Sequence, residues 1–332
     1  MTGPALLQVE DLKVHFPGRG RSAPVLKALD GVSLTVASRE IVGVVGESGC
    51  GKTTLGRAIV GLVRPTAGVI RFDGAVLDAP GRPRRLTDRR RMQIVFQDPA
   101  SSLNPVLTVG ETIGEALVIH RIGDARDRPG RIATLLDQVG LPRAAAARHP
   151  RELSGGQRQR VGIARALAVG PELIVADEAV SALDVSVQAQ IINLLADLRE
   201  TLGLSLLFIG HDLSVIEALC DRVVVLYLGQ VMETAPAAAL FRAPGHPYTR
   251  ALLDASPLPD PAARGRPRML LTGDPPSPLS PPPGCVFRTR CPHAAPECAA
   301  ARPALEAVGA DHAAACVRRT AVDLMQYATD QP

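Results

Sequence analysis

Three groups of residues in this 332-residue chain have the types and spacing to do chemistry. The first is Gly46–Thr53, G-x-x-x-x-G-K-T, which is the P-loop pattern. Gly46, Gly49 and Gly51 let successive backbone N–H groups curl around phosphate oxygens, and Glu47, Ser48, Cys50 and Thr54 complete the loop and its first turn. Lys52 is placed to reach the β- and γ-phosphates, and the Thr53 hydroxyl to ligate Mg²⁺. Lys is scarce here, appearing only at Lys13, Lys27 and Lys52, so a Lys retained in a glycine loop stands out as a point charge. Cys50 reads as a small tolerated residue, with a thiol open to modification as the alternative. The second group is Asp177–Glu178 at the end of "LIVADE": Asp177 suits a Mg²⁺-holding role and Glu178 general-base work on water. The third is Cys285, Cys291, Cys298 and Cys316, spaced C-x5-C-x6-C-x17-C. No gap is as short as the C-x2-4-C turn that zinc ribbons favour, whereas iron–sulfur spacings vary more widely.

These residues need elements to hold them. Strands are expected over 6–16 and 32–36, and a buried strand over Ile41–Val45 runs straight into the P-loop and an apolar-periodic helix through Leu62. Further strands read at 68–72, "MQIVF", "LIVA", "LSLLFIG" and "VVVLYLG"; helices read within 106–150, from "LSGGQRQRVGIARALA", and over 185–202. Strands alternating with helices predict an α/β layered core, with ligands at the carboxyl edge of its sheet. The Arg-rich loop 82–91 reads as a solvated face, with anionic lipid or a partner as the alternative. After about residue 235 the composition shifts toward Pro, Ala and Arg.

Composition narrows the class. The chain is 46% hydrophobic but only 3% aromatic, so aliphatic side chains must fill the core. A net charge of +4 is mild and does not argue for nucleic acid. No apolar run approaches the roughly 18–20 residues needed to cross a bilayer, and no signal peptide is visible, so a soluble intracellular protein is expected. Reduced thiols then favour metal over disulfides for the cysteine tail.

"LSGGQRQR" (153–160) resembles the signature of ATP-binding cassette (ABC) ATPases. Other family marks follow: Gln97 in "VFQDP" is similar to the Q-loop, "SALD" (181–184) to the D-loop, His211 in "IGHD" to the switch histidine, and Phe16 to the aromatic that stacks on adenine. The resemblance implies a P-loop ABC ATPase core with an antiparallel β subdomain and an α-helical subdomain (about 98–165) within residues 1–235. It implies that Ser154, Gly155, Gly156 and Gln157 face the ATP of a second cassette, that Asp184 joins the two sites, that His211 contacts the γ-phosphate, and that Gln97 serves Mg²⁺ and the attacking water. "VVGESGCGKTTLGR", "IVFQDPASSLNP", "HPYTRALL" and "PSPLSPPPGCVFRTRCP" extend the resemblance over nearly the whole chain to the ATP-binding subunits of peptide importers of the dipeptide/oligopeptide type. Two departures are Ala179, where the family usually has Pro, and Ala100, where an aromatic is common.

This resemblance implies a C-terminal extension (236–332) whose four cysteines hold a 4Fe–4S cluster, with zinc or no metal as the alternatives. It implies two integral membrane permeases and an extracytoplasmic solute-binding protein as partners, no nucleic acid, and a peripheral place on the cytoplasmic face of the inner membrane. Cargo other than peptides, such as nickel or a glutathione-like solute, and a soluble non-transport ABC ATPase remain the alternatives.

Overall fold

The computed structural model describes residues 5–18, 20, 24–78, 84–255, 269–271 and 273–319. The end of the expected extension (320–332) and residues 82–83 of the Arg-rich loop lie outside the described residues.

Among these residues two sheets form the frame. Strands β1 (Ala5–Phe16), β2 (Leu26–Ala37), β4 (Ala67–Phe72) and β5 (Ala75–Asp78) make an antiparallel sheet in the order β2-β1-β4-β5. The larger sheet contains β3 (Ile41–Val45), β6 (Met92–Val95), β7 (Leu173–Asp177), β8 (Ser205–Ile209), β9 (Arg222–Tyr227), β10 (Gln230–Pro236), β11 (Glu306–Gly309) and β12 (His312–Ala314). Its order is β11-β12-β10-β9-β3-β8-β7-β6. The run β9-β3-β8-β7-β6 is parallel, and the β10, β12 and β11 edge is antiparallel.

The central strands are apolar at every position because both faces of the sheet are covered. In β3, Ile41 and Val45 face the helical side, while Val42 and Val44 face the antiparallel sheet and helix α1 (Lys52–Ile59). Short helices α2 (Leu86–Arg91) and α3 (Pro99–Ser102) flank β6. Helices α4 (Val109–Ile119), α5 (Arg128–Gln138) and α6 (Gly155–Leu167) then pack together through Ile113, Leu117, Leu136 and Val161. Helix α4 opens on a capping box: the Glu111 N–H donates to Thr108 Oγ1 at 3.2 Å and the Thr108 N–H to Glu111 Oε2 at 2.8 Å. Helices α7 (Val185–Leu202), α8 (Leu213–Leu219), α9 (Ala237–Arg242) and α10 (Pro247–Ala255) complete the described set.

The chain's composition shifts at 235, but the sheet does not stop there. Strand β12 pairs with β10, Glu233 opposite Ala314, so the extension adds two strands to the nucleotide-side sheet. The Glu233 carboxylate is fully buried and accepts the Gly245 and His246 N–H groups at 2.6 and 2.9 Å; it also pairs with His312 Nε2 at 2.6 Å. A buried carboxylate with three partners fixes this edge, because removing any of them would strand a desolvated charge.

Where it is described the Arg-rich segment is largely the solvated face expected, with Arg85, Arg89 and Arg90 exposed and no residue of α2 buried, but three of its arginines also bond inward. Arg84 is buried and donates to the Ile59 and Ala58 carbonyls at the C-terminal end of α1. Arg90 donates to the Val169 carbonyl at 2.7 Å, and Arg91 bridges Glu172 and Asp73. These guanidiniums tie α2 to the core.

Candidate functional site

Strand β3 delivers the phosphate loop to the carboxyl edge of the large sheet. At Gly46 (φ 152°) an added Cβ would lie 2.1 Å from the Leu226 carbonyl oxygen, and at Gly51 (φ 108°) 2.5 Å from that of Ala28. Only glycine fits either position, and the loop is thereby pressed against β9 and β2. Gly51 caps α1 with no side-chain bond to its N-terminus, so the helix presents its first N–H groups outward.

Lys52 is buried, and its Nζ donates to the Gly46 and Glu47 carbonyls at 2.7 and 3.0 Å. A cleft of about 370 Å³ lies over the loop. It is lined by Phe16, Leu26, Ala28, Ser48, Gly49, Gly51, Lys52, Thr53, Thr54, Gln97, Glu178 and Pro278. That volume suits a nucleotide-sized ligand. Phe16, 40% exposed, offers a ring at one end, and the loop offers N–H groups at the other.

The acid pair arrives on β7. Thr53 Oγ1 donates to Asp177 Oδ1 at 3.0 Å. Burial raises the Asp177 carboxyl above the usual carboxylate range, the Thr53 bond and nearby Arg57 acting against it. A hydroxyl and a desolvated carboxylate side by side are hard oxygen donors, which fits the needs of Mg²⁺. Glu178 turns the chain in the left-handed region (φ 48°), where its N–H donates to the Ile209 carbonyl at 2.9 Å. That conformation costs a non-glycine residue of order 1–3 kcal/mol and directs the Glu178 side chain into the cleft.

Three of the expected residues meet at one carboxylate. Gln97 Nε2 donates to Glu178 Oε2 at 2.8 Å, and His211 Nδ1 lies 3.6 Å from the same oxygen. Ser181 adds a contact to Gln97 at 3.4 Å. The arrangement has a positioned base, a cation, hard oxygen ligands and a phosphate cradle in one cleft. It can bind a nucleoside triphosphate and activate water against its terminal phosphate.

Other expected site residues lie elsewhere. Gly46, Glu47, Cys50, Asp177 and His211 do not line the cleft; Asp177 meets it through Thr53, and His211 lines an adjoining cavity that shares Glu178. Cys50 is 3% exposed beneath the loop, and burial raises its thiol pKa, so the alternative of a thiol open to modification does not hold. Ser154 is exposed and caps α6: the Gln157 N–H donates to Ser154 Oγ at 3.3 Å, and Gln157 Oε1 accepts the Ser154 N–H at 3.0 Å. Gly155 and Gly156 allow this end to rest on the segment before α7 and on α7 itself. An added Cβ at Gly156 would lie 2.4 Å from Val187 Cγ1. Asp184 is exposed at the N-terminus of α7. The signature end of α6 is thus outside the cleft that holds Lys52.

The four cysteines of the extension line one small cavity with His246, Pro247, Phe287, Arg288, His293, Val317 and Arg318. All four are free thiols. Burial raises the Cys285 and Cys316 thiols and pushes Cys291 up to about 12. Among the described residues no three His, Cys, Asp or Glu side chains come close enough to hold a single metal ion. Four thiols around one cavity match the donor set of an iron–sulfur cluster, which reaches its ligands across a wider span than one ion.

Pro278, Tyr248 and Arg290 were not singled out from sequence as site residues, yet Pro278 lines the cleft and the other two touch the phosphate loop. Their sequence signal was present in "HPYTR", "PSPLSP" and "FRTRC", which mark the subfamily without indicating where they fold.

The fold and the cleft define an ATP-hydrolysing cassette, and comparison with known proteins gives its family. Residues 29–181 match the ABC transporter family, and residues 232–298 the C-terminal region of oligopeptide/dipeptide transporters. A putative peptide import ATP-binding protein of Brucella ovis is 54% identical over 318 residues, covering 96% of this chain and 99% of the relative. The oligopeptide transport ATP-binding protein OppF of Salmonella typhimurium is 48% identical over 321 residues, covering 94% and 96%. Among solved structures, cbiO1 of Clostridium perfringens, part of the ABC transporter complex cbiONQ, superposes with a TM-score of 0.62 at 27% identity, covering 72% of this chain and 91% of that one. The cassette MJ0796, in a dimeric post-hydrolysis state with ADP and phosphate, gives 0.60 at 31% identity, covering 70% and 98%. The chain belongs to the ABC transporter ATPase family, in the branch that carries the oligopeptide/dipeptide C-terminal region.

Proposed function

We propose that this ATPase powers the import of di- or oligopeptides through a membrane ABC transporter. One observation carries the reading: a complete nucleotide cleft is fused in one sheet to the C-terminal region of oligopeptide/dipeptide transporters. Lys52 exchanges the Gly46 and Glu47 carbonyls for phosphate oxygens when ATP enters. Phe16 stacks on the base, and the loop N–H groups with Thr54 hold the phosphates. Thr53, Asp177 and Gln97 would hold Mg²⁺, which would supply positive charge to the phosphates of the nucleotide. Glu178 accepts the proton of the attacking water, while Gln97 and His211 orient its carboxylate. Ser154, Gly155, Gly156 and Gln157 serve the ATP of a second cassette, and Asp184 links the two sites.

The partners that follow are a second ATPase subunit, two permeases and an extracytoplasmic binding protein, with this chain peripheral on the cytoplasmic face. No helix of the described residues is long and apolar enough to cross a membrane, so a membrane role calls for such subunits. By role the chain divides into the cassette (1–235, helical part about 98–165) and the extension (236–332). Its cysteines Cys285, Cys291, Cys298 and Cys316 are proposed to hold a 4Fe–4S cluster, on the support of their shared cavity.

The test is reconstitution with the permeases and binding protein in vesicles. ATP-dependent uptake of a labelled tripeptide is expected. ATPase activity that answers to DNA or ribosomes and never to peptide-loaded binding protein would overturn the reading. For the cluster, anaerobically purified protein is expected to be brown, with iron and sulfide that Cys291→Ser removes. A colourless, iron-free preparation refutes it.

A further inference from the structure

Glu47 sits in the phosphate loop, but each of its polar groups is engaged. Its carbonyl accepts from Lys52. Its N–H donates to the Tyr248 hydroxyl at 2.8 Å. Its carboxylate receives both terminal nitrogens of Arg290, at 2.5 and 3.0 Å. Tyr248 and Arg290 stand 201 and 243 residues further along the chain, both in the extension.

The anchors are themselves fixed. Tyr248 is fully buried, and the Arg290 side chain is 5% exposed. The Tyr227, Tyr248 and Phe287 rings pack at centroid distances of 4.7–5.4 Å, and the Arg290 guanidinium lies 6.0 Å from the Tyr227 centroid. A fork-shaped guanidinium held this way fixes both the position and the tilt of a carboxylate. Further along, the Pro278 carbonyl accepts the Lys27 N–H at 3.3 Å and the Pro278 ring borders the cleft near Phe16 and Leu26. The extension thus touches the phosphate loop through Glu47 and the cleft itself through Pro278.

We propose that Arg290 and Tyr248 are positioning residues of the ATP site: by clamping Glu47 they hold the phosphate loop open while Lys52 turns from its carbonyls to the phosphates. This rests on the ATP-site reading above. Without the clamp, Glu47 follows Lys52 and the loop N–H groups lose their arrangement. The cost falls mainly on binding, because neither residue touches the reacting atoms. By linkage, whatever state the cysteine loop adopts on either side of Arg290 is felt as ATP affinity, and ATP binding is felt there in return.

The experiment titrates full-length protein with a fluorescent ATP analogue and measures steady-state ATPase kinetics. Arg290→Ala is expected to raise Kd and KM about tenfold with a much smaller fall in kcat, and Arg290→Lys to restore part of it. Tyr248→Phe removes one hydroxyl and is expected to weaken binding about threefold; it stands in if Arg290→Ala does not fold. Glu47→Gln combined with Arg290→Ala is expected to be no worse than either alone. Kd within twofold of the parent in both Arg290→Ala and Tyr248→Phe, even with a lowered melting temperature, overturns the proposal. So does a double variant whose losses multiply. Lys52→Ala separates the two readings: if it leaves analogue binding intact, the ATP-site reading itself fails; if it abolishes binding while the clamp variants do nothing, only the clamp fails.

Discussion

Helices α1 and α6 both begin on a glycine-rich turn, and both N-termini carry the positive end of a helix dipole, yet they are built oppositely. The α1 end is uncapped, surrounded by Lys52, Thr53, Asp177 and Glu178, and clamped from behind by residues of the extension. The α6 end is closed by its own Ser154–Gln157 box, and Ser154 lies exposed. The first gathers the phosphate cradle, the cation and the carboxylates in one place. On the function proposed above, the second is half a site, whose chemistry is brought by a second cassette. A chain that carries one of each is suited to pair head to tail with a second cassette.

Three substitutions test this contrast. The largest effect belongs to Glu178→Gln, which keeps the shape and the Gln97 contact but removes the base. Turnover is expected to fall about 10²–10⁴-fold with ATP binding retained; substantial residual hydrolysis in a single-turnover assay would contradict the assigned role. Ser154→Ala comes next. If α6 completes a partner's site, turnover of the assembled transporter drops about tenfold while a single subunit binds ATP as before. Loss of ATP binding by the single subunit would instead place Ser154 in its own cleft. The smallest effect is the control Thr108→Ala. It deletes a similar capping box on α4, costs about 1 kcal/mol of stability in denaturant titration, and leaves turnover per folded molecule unchanged. If Thr108→Ala and Ser154→Ala reduce turnover equally, the α6 cap is a helix cap and nothing more.

The cleft was legible in sequence where the residues are neighbours or end a strand. A buried β3 followed by G-x-x-x-x-G-K-T, and a β7 ending in Asp177–Glu178, can fold in few other ways, since parallel strands bring their carboxyl ends to one edge. Gln97 and His211 each follow a strand of the same sheet and converge for the same reason. Glu47 was legible as part of the loop but not as its anchor point, because the partners that turn it outward come from beyond residue 245. The arginines of 84–91 are mostly exposed as the sequence suggests, but their inward bonds were hidden for a related reason. A run of cations resembles a solvated face, and only the folded chain shows the Ala58, Ile59 and Val169 carbonyls waiting for them. Strands β11 and β12 were hidden as well. They are three or four residues long, and β11 is exposed throughout, so no alternating pattern announces them.

That late pairing governs how the chain can be made. Strand β10 emerges from the ribosome about 80 residues ahead of β12, its partner at Ala313–Ala314. Throughout that interval one side of β10 is an open template for any passing strand, and the Glu233 carboxylate waits for His312. A nascent chain stalled or truncated after the cassette would carry every catalytic motif and still present a sticky edge. Synthesis must run past Ala314 before the nucleotide-binding half becomes safe from its neighbours.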